Sequence, residues 1–272
     1  MHDAECIDLL QWMLPRLGLR WAGFRRVRKQ VCKRVSRRLK ELGLEDTSTY
    51  RKYLCTHPEE WPLADSLCRV TISRFYRDRA LFSFLGTDVL PELGAQKRAL
   101  GETALAAWSA GCASGEEAYS LVLVWNFLVA DLAPNVRLRV LGTDMDQVLL
   151  HRAQRACYPG GSMRDLPVQW QEKAFEQADR SLCLKAAYKN QAAFRLHDVR
   201  SKPPDSEFDL VLCRNLAFTY FDNEHQLTTA QQLLSSLREG GALVLGSHER
   251  LPAEARGFSV WSEKHRTYRK RL

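Results

Sequence analysis

Trp108-Ser109-Ala110-Gly111-Cys112-Ala113-Ser114-Gly115-Glu116-Glu117 is the stretch whose reading decides the fold. The apolar run Ala104 to Ala110 leads into it, and helical spacing follows from Glu116 to Val129, so the segment joins a buried strand to a helix. Its glycines and small side chains let the backbone turn sharply and approach a ligand closely. A phosphate-binding loop ends in Gly-Lys-Ser/Thr, whereas this one ends in Gly-Glu-Glu. A dinucleotide fingerprint needs glycine where Ala113 stands. Glu116 and Glu117 also put negative charge where a helix N-terminus would otherwise attract an anion. The ligand expected here is therefore cationic or zwitterionic, and S-adenosylmethionine, with its sulfonium and ammonium groups, fits.

Outward from the loop, short apolar runs alternate with helical patterns, the signature of a mostly parallel, doubly wound sheet. Strands are expected at Arg137 to Gly142, Phe208 to Cys213 and Ala242 to Gly246, with helices at about Gln147 to Ala156 and Asn223 to Leu237. Phe258 to Trp261 and Thr267 to Arg269 suit a closing hairpin. Tyr158 to Phe194 breaks the rhythm, and its pieces around Cys183 and Phe194 are read as strands of a small inserted subdomain. Ligands of such sheets bind at the carboxyl ends of the strands. Those ends carry Asp144, an acid suited to ribose hydroxyls or equally to a turn, and Arg214-Asn215. A buried edge arginine is costly unless paired, so Arg214 is a ligand or carboxylate clamp.

The first 70 residues read as helical. Phe24, Val27, Val31, Val35, Leu39 and Leu42 recur at spacings of three and four and form one apolar stripe. Gly43 fits the C-cap, Glu45 to Ser48 start the next helix, and another follows Pro58. The chain's net charge of +8 is concentrated here, between Arg25 and Lys40. That segment calls for an acidic partner, or else is a solvated basic face. The eight cysteines are scattered without a C-x-x-C pair, so all are read as reduced thiols and no metal is expected. With 45% hydrophobic residues, no apolar run of membrane-spanning length and an acidic start, the chain reads as globular, cytoplasmic and not membrane-embedded.

The motifs Thr71 to Asp78 (TISRFYRD), Trp108 to Leu121 (WSAGCASGEEAYSL), Gly142 to Asp146 (GTDMD), Phe208 to Asn215 (FDLVLCRN) and Gly240 to Glu249 (GGALVLGSHE) resemble, in order, those of the CheR family of chemotaxis protein-glutamate O-methyltransferases. The resemblance runs over nearly the whole chain. It implies an α/β fold, a Rossmann-like methyltransferase sheet with a small N-terminal helical domain (1–70), a linker (71–103) and an S-adenosylmethionine-binding domain (104–272) holding an antiparallel β insert at about 158–195. It implies transfer of a methyl group to glutamate side chains of chemoreceptors, with S-adenosylhomocysteine as product.

Carried over position by position, the family's cofactor contacts fall on Thr71, Ser73, Arg77, Gly111, Glu116, Asp144, Asp198, Val199, Arg214 and Asn215. Thr71 and Asp198 stand where the family commonly has asparagine. Four residues instead of three separate Asn215 from Tyr220, so either Tyr220 or Thr219 takes the family's tyrosine place. Arg77, helped by Tyr220, is expected to orient the acceptor carboxylate. Arg25, Arg28, Lys29, Arg34, Arg37 and Arg38 are expected to dock an acidic protein, the cytoplasmic helices of a chemoreceptor. The absence of an Asn-Pro-Pro-Tyr-like sequence after the third strand argues against nucleic acid as substrate, and His197 and His248 are read as structural. Some relatives grip a receptor-tail peptide through a glycine-containing insert loop. No glycine lies between Phe175 and Leu184, so tail recognition is expected to be absent. The alternatives are a methyltransferase for another protein or a small carboxylate, and a cofactor-binding interaction protein without turnover.

Overall fold

A computed structural model describes residues 2–205 and 207–271. Met1 and Leu272, the outer limits of the expected domains, lie outside the described residues, as does Ser206. The chain divides into two compact units. One runs to Thr71 and includes Thr219–Gln226; the other comprises Ile72–Phe218 and the residues from Leu227 onward.

The first unit holds α1 (Asp3–Met13), α2 (Trp21–Phe24), α3 (Arg28–Glu41), α4 (Thr47–Thr56) and α5 (Trp61–Leu67). The apolar stripe of α3 is buried at Val31, Val35 and Leu39. Gly43 ends the helix in the left-handed conformation (φ 66°), and Asp46 caps α4 by accepting from the Thr49 N–H at 2.8 Å. Arg25 precedes α3 rather than belonging to it. Glu60, only 5% exposed, is matched by the Arg38 guanidinium through two hydrogen bonds of 2.9 and 2.8 Å and by the Tyr50 hydroxyl at 3.0 Å. Arg38 holds the Glu60 carboxyl below its ordinary range, while burial raises the Tyr50 hydroxyl.

In the second unit, α6 (Arg79–Phe84) and α7 (Leu90–Ala99) lead to β1 (Ala104–Ala110), α8 (Glu116–Val124), β2 (Arg137–Asp144) and α9 (Gln147–Arg155). The insert contains β3 (Cys157–Tyr158), α10 (Val168–Ala174), β4 (Phe175–Ala178), β5 (Ser181–Leu184) and α11 (Ala186–Lys189). Then come β6 (Ala192–Leu196), β7 (Phe208–Cys213), α12 (Ala217–Tyr220), α13 (Asn223–Ser236), β8 (Leu237–Leu245), β9 (Phe258–Ser262) and β10 (Thr267–Lys270). The main sheet has the order β6-β2-β1-β7-β8-β10-β9, parallel except for β10. Strand β7 is buried along its whole length, as its unbroken apolar run requires. Chain order moves from β1 outward to β2 and β6, then returns to β7 on the other side of β1. The sheet therefore reverses direction between β1 and β7, where such folds open a ligand crevice.

Three expectations change. The strand around Phe194 is β6, an edge strand of the main sheet pairing in parallel with β2, not part of the insert. The insert's own sheet is β3-β5-β4. Strand β8 starts at Leu237, five residues before the apolar run, because Leu237 pairs with Phe208 ahead of a register irregularity. Four of the eight cysteines are not free thiols: Cys6–Cys32 and Cys157–Cys183 are disulfides. Each pair is 26 residues apart in sequence, so only the packing of α1 with α3, and the pairing of β3 with β5, brings the sulfurs together.

At the amino ends of the strands, Lys97 is 5% exposed and lies 2.7 Å from both Glu102 and Asp209, while Arg238 grips Glu102 with two bonds. Asp209 also accepts the Ala106 N–H at 2.8 Å. Removing one partner of a buried ion pair strands the other charge, so Lys97→Met should lower stability by about 3–5 kcal/mol in urea unfolding. Lys97, and then Arg238, depress the Glu102 carboxyl from 4.5 to about 2. A depressed acid stabilises the fold above its unfolded value and stops doing so as pH falls through its folded value. Acid titration of stability should show this contribution fading between about pH 4.5 and 2, and Glu102→Gln should remove it.

Candidate active site

The residues at the carboxyl ends of β1 and β7 line one cavity with the linker strand of chain ahead of α6. Its walls are Ile72, Ser73, Arg74, Arg77, Phe82, Gly111, Cys112, Ala113, Glu117, Arg214 and Asn215. The turn from β1 to α8 is held in shape by the backbone: Gly111 N and Cys112 N both donate to the Thr143 carbonyl at 2.8 Å. Gly111, Ala113 and Gly115 take left-handed conformations (φ 76°, 51° and 89°). A side chain on Gly115 would also meet Ala153 Cβ at 2.8 Å, which accounts for glycine there.

Two glutamates open α8, and they do different work. Glu116 is 2% exposed, and its Oε2 accepts from Ser73 Oγ at 2.6 Å and Ser114 Oγ at 2.8 Å. Glu117 accepts from Ser109 Oγ at 2.8 Å and pairs with Arg214 at 2.9 Å. The Arg214 side chain is 2% exposed; besides Glu117 it binds the Asp78 carboxylate and lies over the Phe82 ring at 5.5 Å. Its buried Nε has no hydrogen-bond partner. Asp144 turns one oxygen to the Ala113 N–H at 2.9 Å and the other to the Asp146 N–H at 3.0 Å. It thereby ties the end of β2 to the glycine turn.

Asp198 receives the Arg200 side chain at 2.9 Å and caps its own turn through the Arg200 N–H at 2.9 Å; Val199 beside it is buried. His197 meets the buried Trp108 ring edge-on at 5.8 Å, and its Nε2 lies 2.8 Å from the Lys202 carbonyl. Burial, and then the charges of Asp144 and Glu117, push the Cys112 thiol well above its ordinary value, so it sits in the loop as a neutral small group rather than a nucleophile. Among the described residues no group of acids, histidines and cysteines is arranged to hold a metal ion.

Ser73, Arg77, Gly111, Arg214 and Asn215 line the cavity, and Glu116 joins its wall through Ser73. Thr71 and Tyr220 belong to the other compact unit. There Tyr220 ends α12 and packs its ring on Phe24 at 4.9 Å, and the Thr219 carbonyl accepts from Arg20 Nε at 3.1 Å. Among the basic residues, Arg28 grips Asp3, Arg38 grips Glu60, and Arg34 donates to the Leu67 and Arg69 carbonyls. Arg25, Lys29 and Arg37 are exposed. Sequence reasoning missed Glu117, Asp78 and Ser114. The second acid of the Glu116-Glu117 pair and the acid of TISRFYRD were visible, but their pairing with Arg214 required the fold.

A family profile described as the CheR methyltransferase SAM-binding domain matches residues 71–267. The chain belongs to the CheR methyltransferase family. A chemotaxis protein methyltransferase of Listeria monocytogenes is 32% identical over 68% of this chain and 68% of its own. The Escherichia coli protein of the same name is 28% identical over 93% of each. An uncharacterized 104.1 kDa protein of Rhodobacter capsulatus is 29% identical over 88% of this chain, which spans 25% of that protein's length. The protein is thus an S-adenosylmethionine-dependent methyltransferase of this family. Acids flank the glycine turn, three arginines line the same cavity, and the Nε of Arg214 is a buried donor without a hydrogen-bond partner.

Gly142, directly below the turn in β2, has no room for a side chain: a Cβ would meet the Phe194 ring at 2.7 Å and Cys112 Sγ at 3.0 Å. Gly142→Ala should cost about 1–3 kcal/mol of stability by overpacking, read by thermal or urea unfolding, and should weaken S-adenosylmethionine binding in calorimetry as the turn shifts.

Proposed function

We propose that this enzyme methylates glutamate side chains of an acidic protein, of the chemoreceptor kind, and releases S-adenosylhomocysteine. The observation that carries this reading is Arg77. Arg74 and Arg214, the other arginines lining the cavity, each face a carboxylate, Asp165 in one case and Glu117 with Asp78 in the other. Arg77 faces none among the described residues; it donates only to the Ile72 carbonyl, at 2.6 Å. Its remaining donors are available to an incoming carboxylate.

A glutamate with a pKa of about 4.3 is ionised near neutrality, so the acceptor needs no general base. Bound S-adenosylmethionine supplies an electrophilic methyl group on a sulfonium. Arg77 orients the acceptor oxygen, and a guanidinium with only partial engagement avoids over-stabilising the nucleophile in its ground state. Glu116, Glu117, Arg214 and Asn215 would hold the zwitterionic end of the cofactor with Ser73. Asp144 suits its ribose, and Asp198 with Val199 suits its adenine. The opposite charges of sulfonium and carboxylate vanish together as the methyl moves, so the walls that exclude water favour the reaction. Thr71 and Tyr220 remain proposed contacts by family position, Tyr220 as the helper of Arg77.

For docking, we take the exposed Arg25, Lys29 and Arg37 as the working face; Arg28, Arg34 and Arg38 are committed to the fold and contribute to the local potential. A cytoplasmic setting is part of the proposal. It agrees with the finding that no helix among the described residues is long and apolar enough to cross a membrane. A second reading, with an acceptor other than a receptor, is favoured by the insert hairpin. β4 and β5 are joined through Asp179-Arg180, without the glycine loop that would grip a receptor tail.

Incubation with methyl-labelled S-adenosylmethionine and cell lysate should put label on protein in a form that mild base releases, as an ester requires. Base-stable label would sink the carboxylate reading. Arg77→Ala should lower transfer by about a hundredfold or more while calorimetric S-adenosylhomocysteine affinity stays within severalfold. Near-normal turnover with intact cofactor binding would remove Arg77 from its role.

A further inference from the structure

Glu249 lies in the turn after β8, outside the set of cavity-lining residues, yet it is 2% exposed. Its Oε2 accepts from the Asn215 N–H at 2.7 Å and the Gly246 N–H at 2.7 Å, and its Oε1 accepts from the Leu216 N–H at 3.1 Å. Asn215 and Leu216 are the first residues to leave the sheet after β7 and Arg214, and Asn215 is left-handed (φ 54°). That conformation is uncommon for a residue with a side chain, and the N–H groups of Asn215 and Leu216, both partly buried, lie beyond the strand ladder and need other partners. A carboxylate that accepts both satisfies them with charge-assisted bonds.

Gly246 supplies an independent sign that the contact is tight. A Cβ there would meet Glu249 Oε2 at 2.7 Å and Asn215 Oδ1 at 2.8 Å. The turn from Gly246 to Glu249 closes on itself through the Glu249 N–H and the Gly246 carbonyl at 2.9 Å. The end of β8 is thus shaped to push a carboxylate against the Asn215 turn.

We propose that Glu249 is a positioning residue for cofactor binding: it fixes the Asn215 turn so that Arg214 and Asn215 meet the amino-acid end of S-adenosylmethionine. The proposal rests on the cofactor assignment above. Glutamine cannot replace Glu249, because its amide nitrogen would confront one of the three N–H donors, although its size is the same. The effect is confined to one end of the ligand. The residues assigned to ribose and adenine, Asp144, Asp198 and Val199, lie at or after other strands, β2 and β6.

Calorimetry of the whole chain with two ligands tests this. S-adenosylhomocysteine carries the amino-acid end, and 5′-methylthioadenosine lacks it. Glu249→Gln should weaken S-adenosylhomocysteine about tenfold or more, the lower end of what removing the partner that orients a metal ligand costs, and 5′-methylthioadenosine by about threefold or less. Gly246→Ala, which wedges the same contact from the other side, should give the same pattern, so a Glu249 variant that fails to fold does not remove the test. Equal losses for both ligands would mean a merely structural carboxylate and overturn the proposal. So would S-adenosylhomocysteine affinity within twofold of the unaltered protein. If the unaltered protein bound neither ligand, the cofactor assignment would fall first, and the positioning role with it.

Discussion

The guanidinium of Arg214 joins three stretches of chain that are distant in sequence: the end of β7, the first turn of α8 through Glu117, and the linker through Asp78. With 2% of its side chain exposed, it would be costly without both carboxylates. The wall of the site depends on this arrangement, because Glu117 stands in the first turn of α8 directly after the glycine turn and Asp78 follows Arg77. The phenyl ring of Phe82 closes the remaining side. The linker is therefore bound to the sheet by charge, and the placement of Arg77 follows from where Asp78 is held.

That dependence explains the division of labour among the acids. Glu116 and Glu117 sit at a helix N-terminus, where negative charge is favourable in itself. Glu116 is fixed by two serine hydroxyls and Glu117 by Arg214, so neither is free to swing. Asp144, bonded by two backbone N–H groups, shapes the turn. A positively charged ligand entering this space would meet fixed negative charge without having to reorganise it, the condition for preorganised electrostatic binding.

The frame of the fold was legible because its signals are local. The runs Ala104 to Ala110 and Phe208 to Cys213 are continuous apolar segments bounded by turn residues, and the periodic stripe of α3 repeats over several turns. Gly43 and Asp46 announce a helix end and a helix start through chemistry confined to a few residues. What failed was long-range. Ala192 to Leu196 alternates as an insert strand would, and only its parallel pairing with β2 places it at the sheet edge. Cys6 and Cys32, or Cys157 and Cys183, carry no mark of pairing, since the distance between sulfurs is set by helix packing and strand register. The basic segment looked uniform as sequence, yet Arg28, Arg34 and Arg38 turned inward to Asp3, to backbone carbonyls and to Glu60. A count of charges cannot tell a docking side chain from one already spent on the fold.

The candidate site divides along the same line. Ser73, Arg77, Gly111, Arg214 and Asn215 could be placed at one cavity because each sits at a predictable place, the carboxyl end of a strand or the motif before the sheet. Their roles relative to one another were not readable, because role depends on which charges are already paired. Arg74, Arg77 and Arg214 are alike in sequence, and each lines the same cavity. Arg74 is answered by Asp165 and Arg214 by two acids, which leaves Arg77 with donors to spare. A guanidinium already held by carboxylates has few donors left with which to steer an incoming acceptor. The guanidinium without such a match is the one for which an incoming carboxylate is a net gain, and on that asymmetry we propose Arg77, rather than its neighbours, as the residue that receives the substrate.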